Sequence, residues 1–365
     1  MEHPENDEAY KGLTVNKGIE QPAGVNPYLN LRRKAKRRHF TAAEYVEGIR
    51  KGDITMLSQA VTLVESLLPE HQALAQEVIE KCLPYAGQSV RVGISGVPGA
   101  GKSTSIDVFG LHVLKKGGKL AVLAIDPSSE RSKGSILGDK TRMEKLSVHP
   151  DSFIRPSPAA GSLGGVARKT RETILLCEAA GFDKIFVETV GVGQSETAVH
   201  SMVDFFLLIQ LAGTGDELQG IKRGIMEMAD GIVINKADGN NIEKAKLAAA
   251  HFRNALHLFP TPESGWTPQV LTYSGFYGLG IEAIWEMIDR YIAFVKKNGY
   301  FEHRRNEQAK YWMYESINES LRNSFYQNPD IARLLVREEQ TVLEGKATSF
   351  AAAKRLLDHY FNHKG

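Results

Sequence analysis

The sequence predicts an α/β fold in which a mostly parallel central sheet carries helices on both faces, with helical extensions at its N- and C-terminal ends. Three observations lead to this prediction. Between residues 89 and 297, short apolar runs alternate with segments of helical periodicity, the order that produces parallel strands joined by crossover helices. Residues 36–88 and 298–365 have helical spacing of apolar side chains and no strand candidate. A glycine-rich loop follows the first apolar run and leads directly into a helix candidate.

Length and composition fit one large globular domain with extensions, or about two domains. The chain has 365 residues, 42% hydrophobic and 24% charged, with a formal net charge of +2. This balance argues against nucleic-acid binding, which usually requires a basic excess. The two cysteines, Cys82 and Cys177, are too few for a disulfide framework or a thiolate metal site. With no signal peptide and no apolar stretch long enough to span a membrane, we expect a cytoplasmic protein.

The segments before the first strand candidate divide into a tail and a helical domain. Residues 1–35 are polar and lack periodicity, which is typical of a flexible tail. The basic run at 32–38 favours a solvated helix start, and a contact with an anionic surface is the alternative. In residues 36–88, apolar side chains recur at helical spacing, and Thr41 with Glu44 matches a capping box. We therefore predict a small helical domain at 36–88.

Seven apolar runs are candidates for the strands of a domain spanning residues 89–297. They are residues 90–95, 120–125, 153–155, 184–188, 204–210, 231–235 and 269–273. Ligands of such sheets bind outside the carboxyl ends of the strands, where the chemically informative motifs of this chain also fall. Residues 298–365 follow as a helical appendix that is apolar enough to need a covering surface. We favour a homodimerisation arm, and docking on the same chain is the alternative.

Residues 96–103 read GVPGAGKS, a GxxxxGKS pattern between a strand candidate and a helix candidate. The glycines allow backbone N–H groups to close around a phosphate chain, and the helix amino end adds positive potential. Lys102 is placed to reach the β- and γ-phosphates, and the Ser103 hydroxyl is placed to coordinate Mg²⁺. The predicted phosphate-binding residues are Gly96, Pro98, Gly99, Ala100, Gly101, Lys102, Ser103 and Thr104.

The tetrapeptide NKAD follows a buried strand candidate and matches the NKxD pattern of GTPases. The Asp238 carboxylate can accept hydrogen bonds from guanine N1–H and the exocyclic amine, which adenine does not offer in that geometry. The aliphatic stem of Lys236 can lie along the base, and Asn235 would brace the two loops. After the last strand candidate, Ser274 and Gly275 resemble the final GTPase motif, whose backbone contacts guanine O6. These residues predict GTP and GDP as ligands rather than ATP.

Acidic side chains near neighbouring strand ends predict a magnesium site. Glu188 ends a strand candidate and is followed by Gly191, whose N–H can approach the γ-phosphate. Asp126 follows another strand candidate, and Asp107 lies one helical turn after the loop. Each acid could instead be a helix cap or a solvated residue. Because oxygen ligands suit a hard cation, the predicted Mg²⁺ ligands are Ser103, Asp107, Asp126 and Glu188.

Intrinsic GTP hydrolysis is predicted to be slow. No glutamine aligns to position the attacking water, and Val97 stands where a signature lysine would begin the glycine loop. A partner protein or a second subunit would then complete the catalytic site.

Together, these motifs resemble the MeaB/ArgK/MMAA-type GTPases of the SIMIBI class of P-loop proteins. The resemblance rests on GVPGAGKST, AIDPSS, GSILGDKTRM, ETVGVGQSE, LAGTGDELQGIK and NKAD, and runs from about residue 37 into the C-terminal helices. It implies a dimeric GTPase chaperone that gates adenosylcobalamin loading and protects an acyl-CoA mutase, chiefly methylmalonyl-CoA mutase. The chain has no Asp-x-His-x-x-Gly motif of a cobalamin module, so adenosylcobalamin would be handled only through the mutase.

The same resemblance implies roles for particular residues. The catalytic set that it implies is Lys102, Asp126, Glu188 and Lys222. Residues 213–222 would couple the nucleotide state to the mutase, with Asp216 and Gln219 acting beside Lys222. Residues 157–165 also resemble a family segment, without an assignable role.

Other functions share part of this pattern. A metal-insertion GTPase of the same class would have the same nucleotide site but would need a Cys or His cluster for its cargo. A kinase or ATPase associated with amino-acid transport is disfavoured by the guanine-reading tetrapeptide. A scaffold with a vestigial nucleotide site is disfavoured because Lys102 and Ser103 are present.

Overall fold

The computed structural model describes residues 40–125, 143–156, 163–189, 195–212 and 223–362. The predicted tail at 1–35 and the basic run at 32–38 lie outside these residues, as does most of the loop at 157–165. The proposed domain boundaries at 35, 88 and 297 stay predictions.

Within the described residues, seven strands form a single sheet in the order β3-β2-β4-β1-β5-β6-β7, and every neighbouring pair is parallel. The strands are β1 (Val90–Gly96), β2 (Leu120–Ile125), β3 (Ser152–Pro156), β4 (Lys184–Thr189), β5 (Phe205–Leu211), β6 (Gly231–Asn235) and β7 (Gln269–Thr272). The predicted fold class and all seven strand candidates are confirmed. Because β1 lies at the centre, between β4 and β5, the carboxyl ends of three strands meet beside the glycine loop.

Thirteen α-helices lie in the same described parts of the chain. They are α1 (Ala42–Arg50), α2 (Ile54–Glu65), α3 (Pro69–Cys82), α4 (Lys102–Lys115), α5 (Glu144–Ser147), α6 (Leu163–Ala179), α7 (Ser195–His200), α8 (Arg223–Met228), α9 (Ile242–Leu256), α10 (Ile281–Lys297), α11 (Tyr300–Tyr326), α12 (Pro329–Leu343) and α13 (Ser349–Asn362). Helix α1 begins with the predicted capping box: the Glu44 N–H donates to the Thr41 hydroxyl, and the Thr41 N–H donates to the Glu44 carboxylate.

Helices cover both faces of the sheet, as alternate residues of β1 demonstrate. Val92 and Ile94 belong to an apolar core that also contains side chains of α4 and α10, such as Phe109 and Trp285. Gly93 points to the opposite face, where α7 and the residues that follow it pack directly on the strand. β1 is therefore buried on both sides, which is the environment expected for the central strand of a parallel sheet.

Buried ion pairs join the amino ends of the strands to the helices. Arg91 of β1 makes a bidentate contact with Glu178 of α6, at 2.8 and 2.9 Å, and both side chains are almost fully buried. Burial tends to raise the pKa of Glu178, but Arg91 and hydrogen bonds from Ser89 and Gly87 bring it below its ordinary value. The Glu178 carboxylate therefore stays ionised within the fold.

The C-terminal helices begin at this same amino edge. Arg305 of α11 donates to both oxygens of Asp204 at 2.8 Å, and the neighbouring Arg304 lies 3.4 Å from Asp230. No strand occurs after residue 298 in the part that the structure describes, up to residue 362, which agrees with the predicted helical appendix. None of the described helices is both long enough and apolar enough to cross a membrane.

We predict that Glu178→Gln lowers the free energy of unfolding by about 3–5 kcal/mol, because it leaves the buried Arg91 guanidinium without its counter-ion. Urea denaturation measures this change. The matched control is Glu77→Gln, which breaks a half-exposed pair with Lys81 and should cost less than about 1 kcal/mol. Equal losses in the two variants would contradict the importance of the buried pair.

Candidate functional site

The glycine loop lies between the carboxyl end of β1 and the amino end of α4. A Cβ atom at Gly96 would lie 2.2 Å from the backbone oxygen of Ile209, so a side chain does not fit there. Gly99 and Gly101 have φ angles of +77° and +84°, a left-handed conformation that other residues adopt at a cost. The loop therefore curls tightly at the start of α4. No side chain caps this helix end, which leaves its first N–H groups available to an anion.

Lys102 is the first residue of α4, and its ammonium group folds back over the loop. Its Nζ donates to the Gly96 carbonyl oxygen at 2.9 Å. Burial lowers the pKa of Lys102, and the carboxylates of Glu188 and Glu196 oppose that effect. The loop thus holds a partly buried cation at the position where the sequence predicts contact with the phosphates.

Asn235, the last residue of β6, connects the glycine loop to the loop after β7. Its Nδ2 donates to the Ala100 carbonyl at 2.7 Å, and its Oδ1 accepts the Gly275 N–H at 3.0 Å. A Cβ atom at Gly101 would lie 2.8 Å from the Asn235 Nδ2. The side chain of Asn235 is buried, so its amide joins the glycine loop, the loop after β6 and the loop after β7 without competition from water.

Asp238 and Ser274 lie side by side, in the loops that follow β6 and β7. The Ser274 hydroxyl donates to Asp238 Oδ2 at 2.5 Å and also accepts the Tyr277 N–H at 3.2 Å. The chain reaches this geometry through a left-handed turn at Lys236, whose φ angle is +60°. One oxygen of the Asp238 carboxylate is therefore held by Ser274, which fixes the direction in which the group faces.

Several contacts near the loop were not indicated by the sequence patterns. The hydroxyl groups of Ser105 and Tyr273 are 2.5 Å apart and buried, which ties α4 to the end of β7. Thr189, at the end of β4, donates to the Ser95 hydroxyl at 3.0 Å. Glu196 is 1% exposed and interacts electrostatically with Lys102. It is the last residue of the ETVGVGQSE segment, and that motif is the sequence signal that could have indicated its role.

The predicted magnesium ligands are only partly within the described residues. Glu188 lies near the end of β4, paired in register with Ile94 of β1, and is buried. Asp107 accepts the Leu146 N–H of α5 at 3.2 Å, so one of its oxygens is engaged in the fold. In the described ranges, no group of three or more His, Cys, Asp or Glu side chains is arranged to hold a metal ion. Mg²⁺ usually takes one or two carboxylates together with phosphate oxygens. Glu188 would supply the carboxylate, and the Ser103 hydroxyl would add a further oxygen.

Other predicted site residues fall outside the described parts of the chain. They are Asp126, Gly191, Asp216, Gln219 and Lys222. The whole segment 213–222 is also outside, so its coupling role stays a prediction. Pro98, Gly99 and Thr104 are exposed along the loop and the first turn of α4, in agreement with a surface open to a ligand.

A P-loop GTPase is defined by a glycine loop after the central strand of a parallel sheet and by an NKxD motif whose asparagine contacts that loop. Residues 57–330 match the family described as methylmalonyl Co-A mutase-associated GTPase MeaB. The chain belongs to the MeaB family and is a GTPase that binds guanine nucleotides.

Named relatives and a solved structure agree with this assignment. The chain is 46% identical to the GTPase ArgK of Escherichia coli over 80% of its own length and 88% of that protein. It is 43% identical to the mitochondrial methylmalonic aciduria type A homolog of Mus musculus, covering 88% of this chain and 80% of that protein. A solved structure titled LAO/AO transport system kinase matches with a TM-score of 0.70 and 37% identity, covering 87% of this chain and 97% of that chain.

We predict that Asp238→Asn weakens binding of GDP by about 100-fold and allows binding of xanthosine diphosphate. The carboxylate would accept two hydrogen bonds from guanine, whereas the amide would donate one to the additional oxygen of xanthine. Isothermal titration calorimetry with the two nucleotides measures both effects. Lys236→Arg, which keeps Asp238 intact, should retain the preference for guanine. An Asp238→Asn variant that still prefers GDP would show that this residue does not read the base.

Proposed function

We propose that the protein is a GTP-hydrolysing chaperone that gates adenosylcobalamin loading of an acyl-CoA mutase and protects that enzyme, with methylmalonyl-CoA mutase as the client. The observation that carries the proposal is the match of residues 57–330 to a family described as associated with this mutase, in a chain whose nucleotide loops are joined by Asn235. The name transport system kinase is that of the solved relative, and Asp238 favours guanine over the adenine that a kinase would use.

The chemistry assigned to the site is attack of water on the γ-phosphorus of GTP. The bond between that phosphorus and the β,γ-bridging oxygen breaks, and GDP and phosphate are released. Lys102 would stabilise negative charge on the phosphates, as its position over the glycine loop supports. Bound Mg²⁺ would neutralise phosphate charge, held by Ser103 and Glu188, with Asp107 and Asp126 as the further proposed ligands.

The group that orients the attacking water is proposed to come from the partner. Within this chain, the proposed catalytic residues are Lys102, Asp126, Glu188 and Lys222. Residues 213–222 are proposed to carry the nucleotide state to the mutase through Asp216 and Gln219. Adenosylcobalamin would be contacted through the mutase alone. We place this activity in the cytoplasm, without nucleic-acid or membrane partners.

A homodimer is proposed to form through the helices of residues 298–365. These helices expose large apolar side chains that a monomer would leave in contact with water: Tyr311, Met313, Tyr314, Ile317, Leu321, Leu343, Phe350 and Phe361. An apolar groove between α12 and α13 adds to the surface that needs covering. Exposed apolar patches of this kind are typical of protein–protein contacts.

We predict that purified adenosylcobalamin-dependent methylmalonyl-CoA mutase raises the single-turnover rate of GTP hydrolysis by about tenfold or more. The reason is that Val97 and the absence of an aligned glutamine leave the isolated site without a group that orients water. A quenched-flow or phosphate-release assay with and without the mutase measures the rate, and Lys102→Ala provides the inactive control. Fast turnover by the isolated protein, or no response to the mutase, would overturn the proposed coupling.

We also predict that Ile317→Glu combined with Leu321→Glu converts the protein from dimer to monomer, because two charges enter an apolar helix face. Light scattering coupled to size-exclusion chromatography measures the molar mass. Leu258→Glu, which replaces an exposed apolar side chain after α9, is the matched control and should remain dimeric. A wild-type protein that is monomeric at micromolar concentration would refute the homodimer.

A further inference from the structure

One side of helix α11 is hydrogen-bonded to the turn between α7 and β5. Arg305, Gln308 and Trp312 are three and four residues apart, which places them along one side of the helix. The Gln308 amide donates to the Val203 carbonyl at 2.8 Å, and the Trp312 indole N–H donates to the Ser201 carbonyl at 3.1 Å. Both side chains are buried. Helix α11 therefore holds the backbone of this turn directly.

Helix α7 leads into that turn and is pressed against the centre of the sheet. A Cβ atom at Gly93 of β1 would lie 2.9 Å from side-chain atoms of both Val199 and Val203. There is thus no free space into which α7 could move towards β1. Its six residues extend about 9 Å, so a displacement at one end reaches the other end without being absorbed by bending.

Helix α7 packs on the strand that leads into the phosphate-binding loop, since Val199 lies against Gly93, three residues before Gly96, and the Gly96 carbonyl accepts the Lys102 ammonium. Glu196, in the first turn of the helix, is 1% exposed. Its carboxylate acts electrostatically on Lys102 and opposes the effect of burial on the pKa of that lysine. Helix α7 therefore packs on the strand that leads into the phosphate-binding loop, and the turn that follows it is held by α11.

The Gln308 side chain is only partly satisfied in this arrangement. Its Nε2 donates to Val203 and, at 3.5 Å, to the His200 carbonyl. Its buried Oε1 has no hydrogen-bond partner within the described parts of the chain. A buried amide oxygen without a partner disfavours the arrangement that contains it, which lowers the free-energy cost of a small shift between α11 and the turn.

We propose that Gln308 and Trp312 are positioning residues that hold α7, and with it Glu196, beside Lys102, so that the nucleotide state and the position of α11 are coupled. This coupling rests on the GTPase function proposed above and adds a route from the nucleotide site to the C-terminal helices. A nucleotide that displaces the Glu196 end of α7 also displaces the turn at residues 200–204. Because binding free energies are reciprocally linked, a change at α11 alters the relative affinity for the two nucleotide states.

Two substitutions test the coupling in the full-length protein. Gln308→Leu removes the amide at similar volume, and Trp312→Phe removes the indole N–H while retaining an aromatic ring. We expect each to change the ratio of the dissociation constants for GDP and a non-hydrolysable GTP analogue by about fivefold or more. Gln340→Leu on α12 and Tyr311→Phe on α11 are the matched controls, and both should keep the wild-type ratio. A purely structural role would weaken binding of both nucleotides equally and leave the ratio unchanged.

Trp312 also provides a direct signal of the coupling. We expect tryptophan emission to differ between the GDP-bound and analogue-bound wild-type protein, and this difference to be lost in Trp312→Phe but kept in Tyr311→Phe. If the wild type binds neither nucleotide, both the proposed function and the coupling are overturned. If it binds both, while Gln308→Leu and Trp312→Phe keep the wild-type ratio, only the coupling is overturned.

Discussion

The close approach of β1 and β5 at their carboxyl ends is the constraint on which the nucleotide site depends. Gly96 pairs with Ile209 at a separation that leaves no room for a side chain, so β1 continues in the sheet to its last residue. The chain must then turn at once into α4, which brings the glycine loop to the level of the neighbouring strand ends. Asn235 ends β6, which is separated from β1 by β5. Its amide reaches Ala100 because the glycine loop lies close to the carboxyl ends of these strands. A wider spacing at Gly96 would separate the phosphate loop from the base-reading loops.

The two edges of the sheet contribute different physical properties. At the amino edge, Arg91 and Glu178 are buried and paired with each other, which fixes α6 to β1. At the carboxyl edge, left-handed glycines, an uncapped helix end and a partly buried lysine lie together in the glycine loop and the start of α4. The left-handed glycines and the buried lysine of the carboxyl edge are energetically unfavourable by themselves. The apolar core and the paired charges of the amino edge hold them in place. This arrangement separates the parts that stabilise the protein from those that bind its ligand.

Local sequence patterns were sufficient for the strands and the phosphate loop, because an apolar run or a GxxxxGKS segment carries its signal within a few residues. The contacts that complete the site join distant segments and have no such signal. Ser105 and Tyr273 are 168 residues apart, and Gln308 and Val203 are 105 residues apart. Asp107 shows the limit of spacing arguments, since its predicted role as a ligand did not anticipate the hydrogen bond from the Leu146 N–H. The polar composition of the first half of α11 likewise concealed a surface that packs on the core.

Helix α11 has 27 residues, and its buried side chains, Phe301, Gln308 and Trp312, all lie in its first half. About 20 Å of helix extends beyond Trp312. Glu319 still lies 4.0 Å from Arg168 of α6, so the helix is held over more than half of its length, and about 10 Å of helix extends beyond that contact. A rotation of about 10° about this point displaces the far end by about 2 Å. A change at the sheet too small to alter the fold is therefore enlarged at the distal end of α11, where α12 and α13 present their apolar surfaces. The length of this helix converts a small angular change into a change of surface that another protein can detect.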